Sequence, residues 1–552
     1  MSRSRMHPQL AEVTEDYRRG RLNRREFLRL SALLGASAGA AVIMPPWSLT
    51  QALAAAPRRG GVLRVASVVH KLSNPAQISW GKSANILRQV AEYLTVTGTD
   101  NITRPLLASR WQASDDLKTW TFDLRQGVTF SNGDEFTADD VVFTLSMWLN
   151  KEAKSSMLGL MGGYLSPTNI EKTGPYQVTL HLNRPEIGLP EHFFHYPAFI
   201  LNHRTFEGDF LKAPHGTGPY TLETYREAEM AVLKARDDYW QKGVDGKPLP
   251  YLNGMSFIEI GTESVPQLAA LKSGEVDMID LSDAGSPNVM LAARKDPDLL
   301  VRSVTTSQVR VVRMRTDKAP WSDNRVRQAL KLCQRRDKIL QLAYFGEGMV
   351  GQDFHVYPDH PEYCPQPTPE YDPERARALL REAGYPEGIK VELHVGSDWS
   401  DVMRYAEILK EDAGPAGLDI QIKAMPVSQY WEKWTELPLG ITPWTHRPLS
   451  TMVLNLAYGL DEEGQPVAWN ETRWVDQEFN RLLNQANGTL DVDERRKIFC
   501  RLEQIQQDRG SIGISFWQNL WMVTRTSLKG VEPHPNLYML FNQAYLEAEP
   551  SA

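Results

Sequence analysis

Strand and helix patterns alternate along this chain from residue 62 onwards, and this alternation restricts the fold class more than any other feature. Apolar and polar residues alternate over 120–124, as in a half-buried strand. Gly127 predicts a turn, Val128 and Phe130 resume the alternation as a second strand, and a second turn follows at 131–134. Thr137, followed by Asp139 and Asp140, then predicts the N-cap and the acidic first turn of a helix. The segment therefore indicates a strand, a turn, a second strand, a second turn and a helix in succession.

The same alternation continues through both halves of the chain, with no internal repeat of 20–50 residues. Interleaved strands and helices of this kind indicate the α/β class. Further strands are predicted at 62–66, at 176–182, after the glycine-rich loop 215–220, at 276–279 and at 389–395, and helices at 86–94, at 265–271 before a stop at Gly274, and from Pro373 after the cap Asp372.

The N-terminal segment is predicted to be an export signal that is removed from the mature protein. Eight arginines precede or border a weakly apolar run from Leu30 to Met44, which is too short to cross a membrane core of about 30 Å comfortably. Residues 23–29 read NRREFLR and resemble the twin-arginine signal consensus. The small residues of the Ala-Leu-Ala step predict cleavage after Ala54, with Ala56 as the competing position, and an ordinary amphipathic helix is the alternative interpretation.

This signal predicts a soluble periplasmic protein that meets the twin-arginine translocase during export. No cysteine stands directly after the apolar run, where a lipid would be attached, so we expect no lipid anchor. The segment contains eight arginines and four acidic residues, and removing its 54 residues leaves 498 residues with 53 basic and 64 acidic side chains, a net charge of −11. That length predicts two or three lobes, and that net charge argues against a nucleic-acid or anionic-membrane surface.

The three cysteines, Cys333, Cys364 and Cys500, indicate neither a disulfide framework nor a thiolate metal site, because no Cys-x-x-Cys pair is present. An oxidising compartment permits one bridge, and Cys333 with Cys364 is the favoured pair. The alternative is that Cys333 is a small buried hydrophobic residue. No later stretch approaches 18 unbroken apolar residues, so we expect no membrane span after the signal.

Four separated segments carry motifs that occur in the same order in one known family. They read LLASRW, WTFDLRQGVTF, NG and TADDV over 106–141; GTGPY and RDDYW over 216–240; ALKSGEVD over 270–277; and VRQAL, GEG, YDPERA, LL and AGYP over 326–386. Together they resemble the extracellular solute-binding proteins of ABC importers, the family that includes dipeptide, oligopeptide, nickel and opine receptors. Their order and spacing cover nearly the whole mature chain.

The resemblance implies a two-lobed periplasmic binding protein (class II-like, cluster C) with an extra subdomain in lobe one. Lobe one is expected at 57–312 and 512–552, its extra subdomain at about 97–206, and lobe two at 313–511. A hinge of crossing strands would let the lobes close around a small-molecule ligand. The expected partners are that ligand and the transmembrane subunits of an ABC permease, and we expect a monomer without cofactor, metal or catalytic residues.

The resemblance also predicts where the ligand binds. In peptide-binding members, an aspartate late in lobe two holds the free amino group of the ligand, and Arg447 stands near that place here. A guanidinium binds a carboxylate or phosphate and cannot hold an ammonium group. The predicted ligand is therefore peptide-like or anionic, such as an opine or a sugar acid, and Arg447 disfavours a classical free peptide. The alternative is that Arg447 is a surface or interlobe ion-pair residue.

The other predicted ligand-binding residues surround this position or lie across the expected cleft. Tryptophans near Arg447 suit stacking on a ligand, although most tryptophans in a chain with 15 of them are core residues. Trp431, Trp434 and Trp474 are further tryptophans of this region. The predicted set is Trp444, His446, Trp469 and Asn470 in lobe two, with Ser79 and Trp80 after the first strand in lobe one.

Enzyme motifs are weak in this sequence. His192 and His195, with His203 nearby, lack the glutamate and the four-residue helical spacing of zinc peptidases. The 216–218 glycine loop lacks the Lys-Ser/Thr of a phosphate loop, and no Gly-x-Ser-x-Gly elbow is present. The rival hypothesis is an exported enzyme on the same two-lobed scaffold.

Overall fold

The computed structural model describes residues 9–18, 24–33, 57–78, 81–261, 263–281, 286–461 and 463–547. The chain divides into two compact units. Unit one comprises Met1–Asp280, Ala293–Arg302 and Met522–Ala552, and unit two comprises Leu281–Ala292 and Ser303–Trp521. The lobe boundaries expected from the resemblance stay a prediction, as does the predicted cleavage site at Ala54, which lies outside the described residues.

Unit one opens with two helices and then mixes strands with helices. Its elements before residue 281 are α1 (Gln9–Arg18), α2 (Arg24–Leu33), β1 (Val62–Ser67), β2 (Thr95–Thr97), β3 (Thr103–Pro105), β4 (Ala108–Ala113), β5 (Thr119–Leu124), α3 (Ala138–Trp148), α4 (Ser156–Met161), β6 (Ile170–Gly174), β7 (Gln177–His181), α5 (Leu189–His192), β8 (Tyr220–Arg226), β9 (Met230–Ala235), β10 (Gly254–Glu259), α6 (Ser264–Ser273) and β11 (Met278–Leu281, whose last residue belongs to unit two).

Two larger sheets organise the described part of unit one, which also contains two-stranded sheets. In the first, the strands follow the order β11-β1-β10-β9-β8, with β1 parallel to both β10 and β11 and the other pairs antiparallel. The second sheet is antiparallel, with the order β4-β5-β7-β6. Its strand β5 has the predicted alternation, since the side chains of Trp120, Phe122 and Leu124 are buried. The second strand predicted at 128–130 is wrong, because Thr129 makes only an isolated bridge with Glu135.

Several sequence-predicted caps of unit one are confirmed. The Thr137 amide donates to Asp140 Oδ2 at 2.8 Å as part of a capping box that starts α3. Gly274 ends α6 in the left-handed region with φ at 76°, a conformation that costs glycine no Cβ clash. Local capping chemistry therefore determines where both helices begin or end.

The helix predicted at 86–94 is wrong. The structure has only short 3₁₀ turns, Gly81–Ala84 and Leu87–Gln89, in this region. The Gly218 amide donates to the Val90 carbonyl at 2.8 Å, and a Cβ on Gly216 would lie 2.0 Å from that same oxygen. The glycine loop therefore packs directly on this backbone and takes up a carbonyl that a continuing helix would use.

Unit two begins at the last residue of β11, continues with α7 up to Ala292 and contains most of two long strands. Its elements are α7 (Ser286–Ala293), β12 (Leu299–Met314), α8 (Asn324–Leu332), α9 (Arg336–Tyr344), β13 (Gly348–Val350), α10 (Pro373–Glu382), β14 (Ile389–Gly396), α11 (Ser400–Ala413), β15 (Leu418–Met425), α12 (Val427–Lys433), β16 (Leu439–Trp444), α13 (Ser450–Tyr458), α14 (Gln477–Asn487), α15 (Val492–Arg509) and β17 (Ile512–Arg525). The first residues of β12 and the last of β17 belong to unit one, which ends with β18 (Leu528–Lys529) and β19 (Tyr545–Leu546).

The sheet of unit two has the strand order β15-β14-β16-β12-β17. Strand β14 runs parallel to β15 and β16, whereas β12 is antiparallel to β16. The three parallel strands therefore end at one edge, and α11, α12 and α13 follow them in the chain. Carboxyl-terminal edges of parallel strands are where α/β folds usually bind ligands.

The predicted Cys333–Cys364 bridge is wrong, because Cys364 pairs with Cys500 instead. The Cα atoms of Cys364 and Cys500 are 5.0 Å apart, within the range that a disulfide requires. Cys333 is free and fully buried after α8, and burial raises the pKa of its thiol to about 12. The alternative, that Cys333 is a small buried hydrophobic residue, is confirmed.

In the part of the chain that the structure describes, no helix combines the length and the apolar character that crossing a membrane requires.

Candidate functional site

The end of β16 and the loop that joins it to α13 carry three of the predicted site residues. Strand β16 ends at Trp444, and His446 and Arg447 follow before α13 starts at Ser450. Because β16 is one of the three strands that share a carboxyl-terminal edge, the loop lies at that edge. We call residues 445–449 the site loop.

Arg447 is buried, with 6% of its surface exposed, so the structure does not place it on the surface. Its Nη1 donates to the hydroxyl of Thr445 and, at 3.0 Å, to the carbonyl of His446. Both acceptors are uncharged oxygens of the site loop. The loop therefore holds the guanidinium in a defined position in the interior of unit two.

His446 fixes the site loop against β12. Its Nδ1 accepts from the Ser307 amide at 3.0 Å and lies 2.9 Å from the Ser307 hydroxyl. An amide can only donate, so Nδ1 is the unprotonated nitrogen of the neutral ring. The Arg447 amide donates to that same Ser307 hydroxyl at 3.4 Å. His446 thus acts in the structure as a support for the loop.

A second segment, residues 355–364, supports the site loop and was missed at the sequence level. His360 Nδ1 accepts from the Tyr357 amide at 3.0 Å, which leaves Nε2 to donate to the Arg447 carbonyl at 2.8 Å. The His355 ring lies edge-to-face with Trp444 at 5.4 Å. Burial, together with the nearby His360 and Arg447, lowers the pKa of His355 to about 3, so this ring is neutral at physiological pH.

Glu471 anchors the Trp444 side chain through a hydrogen bond and was also missed at the sequence level. Its carboxylate accepts from Trp444 Nε1 at 2.7 Å and from the Thr442 hydroxyl at 2.6 Å, and it lies 3.2 Å from Arg313 Nε. Burial raises the pKa of Glu471, and the charge of Arg313 and these hydrogen bonds oppose that rise. The pair is fully enclosed, with 0% of the Arg313 side chain and 4% of the Glu471 side chain exposed.

Trp469 and Asn470 lie beside these groups with different exposure. Trp469 is half-buried and its ring is 6.1 Å from Trp444, edge-to-face. Asn470 is fully buried, donates to the Trp474 carbonyl at 2.9 Å and accepts from the Thr472 hydroxyl at 3.1 Å. The structure therefore brings Trp469 to the site, whereas the Asn470 amide holds the loop that carries Trp469.

The remaining predicted positions lie elsewhere or outside the described part of the chain. Ser79 and Trp80 are outside the described residues. Trp474 is buried against Tyr458 and Phe479. No sequence motif marked Glu471 or His360, since each acquires its role from residues that are distant in the chain.

The histidines considered for a metal have structural partners. His192 Nδ1 lies 2.6 Å from the Tyr164 hydroxyl, and burial lowers the His192 pKa to about 3. His203 Nδ1 lies 2.7 Å from the Asp140 carboxylate at the start of α3. Across the described ranges, no group of three or more His, Cys, Asp or Glu side chains is placed to hold a metal ion.

With this geometry in hand, the chain can be compared with known proteins. Residues 103–461 match the model of the bacterial extracellular solute-binding proteins, family 5 Middle. That match covers more than half of the chain, so this protein belongs to the family 5 extracellular solute-binding proteins. Its class is therefore a solute-binding receptor with a two-lobed α/β fold.

Curated relatives agree with this assignment. The chain is 27% identical over 483 residues to heme-binding protein A of Haemophilus influenzae, covering 78% of this chain and 82% of the relative. It is 29% identical over 425 residues to the glutathione-binding protein GsiB of Salmonella paratyphi A, covering 72% and 78%. The names of these relatives cover different ligands, so family membership alone does not define the ligand.

Solved structures share the fold. The periplasmic binding protein DppA of Helicobacter pylori, in complex with the peptide STSA, superposes with a TM-score of 0.77 at 22% identity and covers 89% of this chain and 99% of its own. The binding protein AgaA of A. tumefaciens R10, in complex with agropinic acid, superposes with a TM-score of 0.76 at the same identity and coverage. Both likenesses establish the architecture.

Proposed function

We propose that this protein is the periplasmic receptor of an ABC importer and that it binds a small organic anion, such as an opine or a sugar acid, for delivery to the permease. The observation that supports an anionic ligand is the buried guanidinium of Arg447, which lies on the site loop three residues after Trp444. A buried guanidinium binds a carboxylate or phosphate with charge-assisted, bidentate hydrogen bonds. Trp469, which is half-buried and contacts Trp444, supplies an aromatic ring near the site loop.

A thermal-shift screen of the purified protein against dipeptides, opines and acidic sugars tests this function. We expect anionic ligands to raise the melting temperature, because a ligand that binds only the folded state stabilises it. Stabilisation by neutral or zwitterionic dipeptides alone would contradict the anionic assignment. Continuous turnover of a bound compound would favour the rival enzyme over the receptor.

Arg447→Ala is expected to weaken binding of the anionic ligand found in that screen by tenfold or more. The variant loses a charge-assisted contact, and a tenfold change corresponds to about 1.4 kcal/mol. Isothermal titration calorimetry measures the affinity directly. Arg481→Ala, which removes an exposed arginine of α14, is the matched control and should leave the affinity unchanged. Unchanged affinity in Arg447→Ala would remove Arg447 from the ligand site.

Export through the twin-arginine pathway is a separate part of the proposal, supported by the NRREFLR motif at the start of α2. Replacing Arg24 and Arg25 together by lysine is expected to reduce the periplasmic protein at least tenfold and to retain the precursor in the cytoplasm. Cell fractionation and immunoblotting measure this. Lysines at Arg18 and Arg19 are the control and should leave export intact. Normal export of the Arg24/Arg25 variant would contradict the assigned pathway.

A further inference from the structure

Four tryptophans from three separate chain segments form one partly exposed aromatic surface in unit two. Trp399 lies between β14 and α11, Trp431 and Trp434 belong to α12 and its C-cap, and Trp469 lies in the loop before α14. We call these four residues the tryptophan row. Trp431 is 40% exposed and the other three are half-buried.

Each tryptophan of the row contacts the next one in space. The ring centroids of Trp399 and Trp431 are 5.5 Å apart, those of Trp431 and Trp434 are 5.6 Å apart, and those of Trp434 and Trp469 are 6.2 Å apart. All three pairs are edge-to-face, with interplanar angles from 72° to 81°. Successive rings of the row are therefore steeply inclined to each other, and both the face and the edge of an aromatic ring attract a further aromatic ring.

The position of the tryptophan row indicates a ligand surface. Trp399 follows the carboxyl end of β14 by three residues, and α12 starts two residues after the end of β15. The row thus lies at the same strand edge as the site loop, and Trp434 and Trp469 both contact Trp444 at the end of β16. Scattered exposed apolar residues are normal, but a contiguous aromatic patch at a ligand-binding edge is not.

The size of the tryptophan row favours a small molecule over a protein partner. A fully covered aromatic side chain buries about 150–250 Å². Four indoles that are already half covered therefore leave well below the roughly 800 Å² per partner that a stable protein interface buries. Successive ring centroids of the row are 5.5–6.2 Å apart, a spacing that a ligand with two or more fused rings can span.

We propose that the tryptophan row binds a flat, conjugated ring system of the transported molecule, whose carboxylate is held at Arg447. This inference rests on the proposed function, because Arg447 supplies the anionic contact. An aliphatic chain of equal length gains apolar contact with the indoles but lacks the electrostatic attraction between aromatic rings. The ligand class is therefore an aromatic or polycyclic carboxylate.

Calorimetric titration of the mature protein with two dicarboxylates of similar length tests the inference. Naphthalene-2,6-dicarboxylate is expected to bind at least tenfold more tightly than the aliphatic octanedioate. Trp431→Leu is expected to weaken naphthalene-2,6-dicarboxylate at least fivefold and to leave octanedioate within twofold, whereas Trp431→Phe should restore most of the loss. Phe143→Leu, which removes a half-buried aromatic ring of α3 in unit one, is the control and should change neither affinity.

The outcomes separate this inference from the function on which it rests. Equal affinity for the two dicarboxylates, no binding of naphthalene-2,6-dicarboxylate, or equal weakening of both by Trp431→Leu would overturn the role of the tryptophan row. Arg447→Ala should weaken both dicarboxylates alike. If Arg447→Ala changes neither affinity while Trp431→Leu weakens only naphthalene-2,6-dicarboxylate, the anionic contact at Arg447 is refuted and the role of the tryptophan row is supported.

Discussion

Glu471→Ala is expected to lower the free energy of unfolding by about 3–5 kcal/mol, because it leaves the guanidinium of Arg313 buried without its carboxylate. The change also removes the acceptor of Trp444 Nε1 and of the Thr442 hydroxyl. Those two residues belong to β16, and Arg313 belongs to the neighbouring β12. Urea denaturation followed by tryptophan fluorescence and circular dichroism measures the loss.

Two comparisons show whether the buried charge is the cause. Glu463→Ala removes an exposed carboxylate from the same loop and is expected to change stability by no more than about 0.5 kcal/mol. Replacing both partners, Glu471→Leu with Arg313→Met, is expected to cost less than Glu471→Ala, because no unpaired charge remains. A loss below about 1 kcal/mol in Glu471→Ala would contradict the anchoring role of this pair.

Replacing Cys364 and Cys500 by alanine is expected to lower the free energy of unfolding by about 2–5 kcal/mol under non-reducing conditions. The two cysteines are 136 residues apart in the sequence, so the bridge greatly restricts the unfolded chain. The bridge also ties residues 355–364, which carry His355 and His360, to helix α15. We therefore expect the variant to bind the anionic ligand more weakly as well.

Cys333→Ala is the control for the disulfide, since Cys333 is buried and free. It keeps the bridge, and its stability should still fall when a reductant is added, whereas the Cys364/Cys500 variant should no longer respond. Peptide mapping of the oxidised protein should recover Cys364 linked to Cys500. Equal stability of the wild type and the double variant without reductant would contradict a stabilising role for the bridge.

Local features of the fold could be predicted from the sequence with good detail. Asp372 caps α10 through the Arg375 amide at 2.8 Å with Pro373 in its first turn, and β14 occupies the predicted strand. Caps and alternating patterns depend on a few neighbouring residues, so the sequence specifies them directly. The helix predicted at 86–94 is wrong because the backbone of Gly216 and Gly218, more than 120 residues away, packs on that segment.

The candidate site was predictable only in part. The sequence placed Arg447 and Trp444 on one short segment, and the structure puts both at the carboxyl-terminal edge of β16. The sequence could not show that Glu471, which accepts from Trp444, pairs with Arg313, or that His360 donates to the Arg447 carbonyl. Each of these contacts joins residues that are distant in the chain.

By itself, the sequence determined the α/β class, the caps of individual helices, the family and the placement of Arg447 on the same short segment as Trp444. All of these follow from local patterns or from motifs in fixed order. Only the tertiary structure decided that Cys364 bonds to Cys500, that Asn470 holds a loop and that Trp399, Trp431, Trp434 and Trp469 share one surface. The physical reason is that these relations depend on distances between side chains brought together by strand order, which no single stretch of sequence contains.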